Sequence, residues 1–287
     1  MKRKFGWFDI LNTIFLVLLC IVIIGPFMLV VLQSLMTKSE IVLKGFTFFP
    51  KQLTLAAYDY LFATNTMLIN GYKISIFITI MGTVLSLFFT STYAYVISKN
   101  YMPYKNILTL LAFITMLFSG GLVPTYILIV GLKLTNSVWS LILPVLISPW
   151  YMFIMRNFFM NIPSDIEEAA VIDGANDIRI WAQIVLPLSL PAIATIGLFY
   201  AVSIWNSWVT ASIYITDINK QPLQLILRRM ITEGTLEEQF GDESFQFVIS
   251  QNIKAAAIMI TSIPIIMVYP FIQKYFVKGV LVGAVKG

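Results

Sequence analysis

The chain has 287 residues, of which 59% are hydrophobic and only 11% charged, with a formal net charge of +5 and no histidine. Soluble domains carry about a quarter charged residues, so this composition needs lipid as its solvent and excludes an ordinary soluble domain. No cluster of Lys and Arg offers a nucleic-acid face, and the lone Cys20 excludes an intrachain disulfide or thiolate metal site.

Charge-free runs mark candidate spans, because a helix crossing about 30 Å of hydrocarbon needs roughly 20 residues. After Met1-Lys2-Arg3-Lys4, the first run extends from Ile10 to Thr37. It is too long for the apolar core of a signal peptide and reads as a retained span. Residues 36–73 then lie outside the bilayer, and the second run is Ile74 to Ser98. The third, Asn106 to Leu132, and the fourth, Leu134 to Met155, are divided by Gly131, Lys133 and Asn136, which suit a hairpin turn. Ser119-Gly120-Gly121 inside the third run reads as close helix packing through small residues. The fifth run, Ile180 to Thr216, is too long for one straight span, so its membrane helix is placed after Pro187 and Pro191. A second outer segment, 217–254, precedes the last run, Ala255 to Gln273.

The expected fold is an all-α membrane protein: one permease domain of six transmembrane helices, with a cytoplasmic coupling helix pair between helices 4 and 5. Six spans put both termini on one side. With the N-terminus inside, Lys and Arg number ten inside and nine outside, so internal balance barely separates the orientations. Lys2, Arg3 and Lys4 before the first span, and Lys274, Lys278 and Lys286 after the last, favour cytoplasmic termini.

Between the fourth and fifth spans, residues 162–187 read IPSDIEEAAVIDGANDIRIWAQIVLP and break the apolar pattern. Ser164 followed by Glu167 predicts a capping box, with Asp165, Glu167 and Glu168 in a first turn that favours negative charge. On the helix that follows, Ile166, Ala169, Ala170 and Asp173 share one face. Gly174 supplies the left-handed stop, Asn176 or Asp177 caps a second short helix, and Pro187 ends it. The physical reading is a surface helix-turn-helix whose small-residue face allows a partner to approach closely. An ordinary amphipathic interfacial loop has the same pattern.

Glu168-Ala169-Ala170, Gly174, Ile184 and Leu186-Pro187, at their spacing here, resemble the EAA loop of bacterial ABC importer permeases. The ending from Tyr275 to Gly287 resembles carbohydrate importers related to the maltose permease, and Phe118 to Pro124 resembles their oligosaccharide- and polysaccharide-handling branch. The resemblance implies a multi-pass subunit of the bacterial cell membrane, working with a second homologous permease, two ATPase subunits and an external solute-binding protein. It implies a carbohydrate substrate, no cofactor on this chain, and ATP with magnesium on the partner ATPase. It assigns ATPase coupling to Glu168, Ala169, Ala170, Asp173, Gly174 and Ala175. It also sends the tail 278–287, through Lys278, Gly279 and Lys286, toward the ATPase pair; composition alone reads that tail as a frayed end.

No G-x-x-x-x-G-K-[ST] loop occurs, and no nucleophile, base or metal constellation suggests a membrane enzyme. The spans hold no carboxylate pair, which disfavours an ion-coupled carrier. Import of a non-sugar solute is the alternative within the ABC class. Trp205, Asn206 and Trp208 are the substrate-path candidates, since a flat ring suits a sugar face while a polar rim orients it. Trp205 and Trp208, three apart, are expected to share a face with Ser212, and an interfacial aromatic belt is the competing reading.

Overall fold

A computed structural model describes residues 6–45, 47–63, 66–232 and 251–284; from residue 271 onward only the backbone path is described. The architecture is all-helical, and the single β-type contact among the described residues is an isolated bridge between Met36 and Leu53. Two compact units divide the chain, Met1–Ile69 with Leu227–Pro264, and Asn70–Ile226 with Ile265–Gly287.

In the first unit, helix α1 (Trp7–Ser34) starts where the Asp9 carboxylate accepts the Gly6 N–H at 2.9 Å. Its apolar side chains face outward, which is the arrangement that lipid or another membrane chain requires. Ser34 at its end meets the Tyr58 hydroxyl at 2.7 Å. Helices α2 (Lys38–Lys44) and α3 (Ala56–Ala63) follow. Glu40 fastens the connection between them: Oε1 accepts from Lys44 Nζ at 2.7 Å and from the Lys51 N–H at 2.8 Å. The first expected outer segment thus has its own helical structure, and its last residues, through Lys73, belong to helix α4 (Thr66–Ser98).

The second unit holds the expected third, fourth and fifth spans, and each is broken. Helices α5 (Lys105–Leu117) and α6 (Leu122–Gly131) meet at 116°. Gly121 sits in that break with φ +84°, and a Cβ added there would meet nothing within 4 Å. The Ser119-Gly120-Gly121 stretch therefore makes a corner instead of the close helix packing expected of it. Helix α7 (Trp139–Ile142), prolonged as a 3-10 turn to Val145, meets α8 (Pro149–Met160) at 51°. The buried Tyr200 hydroxyl accepts the Ser148 N–H at 2.8 Å, satisfying a donor that the break exposes, and also contacts Thr90 Oγ1 at 2.8 Å.

Helix α9 (Ser164–Ile172) is followed by α10 (Asp177–Ile180), a π-helical turn over Trp181–Val185, and α11 (Leu186–Leu188). An 84° bend at Ser189 leads into α12 (Leu190–Trp205). Pro187 lies one residue before the end of this continuous helical stretch, which runs on to Leu188 and stops at the bend at Ser189. Helix α13 (Trp208–Tyr214) begins anew after a turn at Asn206 and Ser207. The hairpin at Gly131 to Asn136 forms as expected, with Lys133 and Asn136 at φ +57° and +56°. Asn136 Oδ1 there accepts the Thr216 and Asp217 N–H groups at 2.7 and 2.9 Å.

Helix α14 (Leu223–Thr232) and the long α15 (Gln251–Ala284) complete the chain. Among the described residues, three helices are long and apolar enough to cross a membrane, or six if each bent pair is one span. The tail from Lys278 continues α15 to Ala284 instead of fraying, whereas Lys286 lies outside the described residues, as does most of the outer segment after Thr232.

Candidate functional site

The segment between α8 and α12 stands as a helical hairpin whose local chemistry explains its shape. Helix α9 runs until the Gly174 N–H reaches the Val171 carbonyl at 2.9 Å and the Ala175 N–H reaches that of Ala170 at 2.9 Å. Gly174 has φ +81°, a conformation that side chains with a Cβ rarely adopt, so the expected left-handed stop is present. Asn176, of the two capping candidates, is the one that caps α10, its Oδ1 accepting the Arg179 N–H at 2.9 Å.

The expected capping box is absent. Pro163 occupies the cap, Ser164 Oγ contacts Asp165 Oδ1 at 3.4 Å, and the Glu167 carboxylate turns to Lys99 in an ion pair. Lys99 follows the last turn of α4, where a cation complements the helix dipole, and its side chain is only 9% exposed. Its ammonium also stands 4.6 Å from the Tyr95 ring centroid. Two residues on, the Tyr101 hydroxyl donates to Asp177 Oδ1 at 2.5 Å. Partial desolvation of a residue that is still 63% exposed, reinforced by this hydrogen bond, pushes the Tyr101 phenol up to about 12. Arg156 Nε donates to the Ile97 carbonyl at 3.1 Å, satisfying an orphan acceptor at the end of α4.

These contacts surround a cleft of about 950 Å³ lined by Lys99, Tyr101, Glu167, Glu168, Ile172 and Asp177 among others. Beneath it, Ile180 and Val185 are buried with Tyr95, Ile97, Met155 and Phe159. The two motif alanines do not act alike. Ala170 packs against this core together with Ala175, whereas Ala169 is exposed with Glu168, Asp173 and Gly174. The outward surface is more apolar than the motif positions suggest: Val171, Ile172 and Ile178 are 59%, 86% and 74% exposed. Sequence reasoning missed Lys99, Tyr101, Ile172 and Ile178. Ile178 was visible as an apolar residue between Asp177 and Arg179 and Ile172 as one beside Asp173, while the Lys99 pairing spans 68 positions and had no local signal.

Trp205, Asn206 and Trp208 are separated by the turn that ends α12, so the two tryptophans do not share one helical face with Ser212. Trp205 is 6% exposed and packs edge-on against Tyr72, with centroids 6.3 Å apart. Its Nε1 has no hydrogen-bond partner. Asn206 is exposed, its Nδ2 donating to the Val202 carbonyl at 2.9 Å. Three His, Cys, Asp or Glu side chains placed to hold a metal ion do not occur together among the described residues.

The model of the binding-protein-dependent transport system inner membrane component family matches residues 100–282. The chain belongs to this family. It is 44% identical to protein LplC of Bacillus subtilis over 98% of this chain and 95% of that one. It is 43% identical to the B. subtilis polygalacturonan/rhamnogalacturonan transport system permease protein YtcP, over 98% of each chain. Among solved structures, it superposes with a TM-score of 0.87 on a chain of a bacterial ABC transporter involved in the import of the acidic polysaccharide alginate. That match has 29% identity and covers 96% of this chain and 100% of the other. This permease is thus an inner-membrane transport subunit of an ABC system, and its family implies an ATPase and a binding protein as partners.

Proposed function

We propose that this permease is one half of a heterodimeric importer for an oligosaccharide or polysaccharide fragment, delivered by an external binding protein. It spans the membrane six times as one domain, each bent helix pair counting as a single span, and keeps both termini in the cytoplasm. Residues 162–187 dock on one of two ATPase subunits through Glu168, Ala169, Asp173 and Gly174, with Ala170 and Ala175 holding the turn against the core. The observation that carries this is the exposed knob at the Gly174 turn, where Ile172 and Ile178 stand in water beside the motif residues. Burying each isoleucine on a partner contributes about 1.5–3 kcal/mol, so exposure on this scale suits an interface.

The saccharide assignment draws on the likeness to permeases named for polygalacturonan, rhamnogalacturonan and alginate transport. Asn206, exposed at the turn between α12 and α13, orients the substrate, Trp208 flanks it, and Trp205 supports it from beneath. Lys278 and Gly279 carry α15 toward the ATPase pair, and Lys286 belongs to the same contact. The test is ATP hydrolysis by the transporter purified from its native membrane through a tag on this chain. Saccharide-loaded binding protein should stimulate hydrolysis. Stimulation by a non-sugar solute alone would replace the saccharide with that solute.

A further inference from the structure

We propose that Lys99 and Tyr101, with Glu167 and Asp177, form a two-point clamp that transmits movement of the 162–187 loop to helix α4. The clamp rests on the reading that this loop docks on an ATPase, and adds the positioning residues through which docking moves the membrane part.

Lys99 and Tyr101 lie directly after the last turn of α4, so a force on either acts on the end of a 33-residue helix. At about 1.5 Å per residue that helix is roughly 50 Å long, enough to carry displacement across the bilayer. Their partners lie on different arms of the loop. Glu167 is in the first turn of α9, and Asp177 is in the first turn of α10. Both carboxylates are favoured there by the amide dipoles, and Lys99 is favoured by the carbonyl end of α4. A tilt of one arm alone therefore breaks one bond and leaves the other, whereas rigid movement of the hairpin keeps both and carries α4 along.

Two polypeptide routes join the hairpin to the membrane part, residues 161–163 into α8 and the 84° bend at Ser189 into α12, and neither leads directly into α4. The clamp supplies that link. Lys99 is nearly buried, so parting it from Glu167 would strand a charge with little access to water. This favours a hairpin that moves with α4 over one that swings free of it. Tyr101 adds the second point, its hydroxyl donating to Asp177 Oδ1 at 2.5 Å.

The test uses the complete transporter, purified from its native membrane and reconstituted with its binding protein. The readouts are ATPase bound per permease and substrate transported per ATP hydrolysed. Lys99→Glu and Glu167→Lys should each keep the ATPase bound but lower transport per ATP roughly tenfold, the scale of a typical coupling between sites. The double exchange Lys99→Glu with Glu167→Lys should recover to within about twofold, because neighbouring changes are non-additive when the residues interact. Lys99→Arg should stay near wild type, and Tyr101→Phe should lose about fivefold. Wild-type transport per ATP in both single reversals would overturn the clamp, as would losses that the double exchange does not rescue. Release of the ATPase by the reversals would also overturn it, placing these residues in the docking surface. The docking reading fails separately, if Gly174→Asp keeps the ATPase bound and coupled.

Discussion

Trp205 is a poor site for an alanine probe. Its ring is packed edge-on against Tyr72 and almost wholly buried, so truncation removes core packing worth about 3–5 kcal/mol before any substrate is considered. Trp205→Ala should therefore lower the amount of assembled transporter, measured by size-exclusion chromatography of the tagged complex. Trp205→Phe keeps a ring against Tyr72 and should assemble normally. The cleaner probe of the substrate path is Asn206, which is exposed and sits in a turn. Asn206→Ala removes one hydrogen-bonding side chain worth about 1 kcal/mol, or roughly fivefold in uptake per assembled complex. Unchanged uptake in that variant would remove the turn from the substrate path. Gly174 and Asn176 were legible because a left-handed stop and an N-cap are decided within a few residues. The expected partner of Ser164 was misread because Glu167 finds a charged partner 68 positions away, and a full positive charge outcompetes a backbone amide.

At the scale of elements, the helices were legible from their apolar runs, but their corners were not. Pro149 and Pro191 mark where helices start, yet the bend at Ser148 is held by the Tyr200 hydroxyl from 52 positions away. The corner between α5 and α6 is likewise written only as Gly121, a residue equally suited to close packing. A second element-scale device is the loop after α2. The Lys44 ammonium, followed by the Lys51 amide, holds the Glu40 carboxyl down at about 2, against an ordinary 4.5. The sign follows from the lowered value: the carboxylate's contribution is fully present above about pH 4.5 and is lost as the pH falls toward 2. Amide exchange at Lys51 and Gln52 should stay slow, after correction for its intrinsic pH dependence, down to about pH 4 and accelerate below that. Glu40→Gln should abolish the acid-dependent step, and a step that persists in this variant would assign it to another group.

At the scale of the whole molecule, composition and the EAA-like spacing placed the chain in its family, which the match over residues 100–282 bears out. Orientation was less legible, since the basic residues divide almost evenly between the two sides. In a Cys20→Ser background, Phe49→Cys should react with an impermeant thiol reagent in intact cells, whereas Ser164→Cys should react only after permeabilisation. The reverse pattern would turn the loop away from any cytoplasmic ATPase. The central claim is that the turn at Gly174, with its exposed isoleucines, binds the ATPase. Gly174→Asp forces a side chain into a left-handed conformation costing about 1–2 kcal/mol. Ile172→Asp puts a charge on the most exposed apolar side chain of this hairpin without touching the backbone. The most direct measurement is the molar ratio of ATPase to permease in complexes purified through a tag on this chain. Both substitutions should lower that ratio about threefold, the change in occupancy expected when about 1 kcal/mol of binding is lost near the dissociation midpoint. They should leave the second permease bound. A wild-type ratio in both, with normal coupled uptake, would contradict the account.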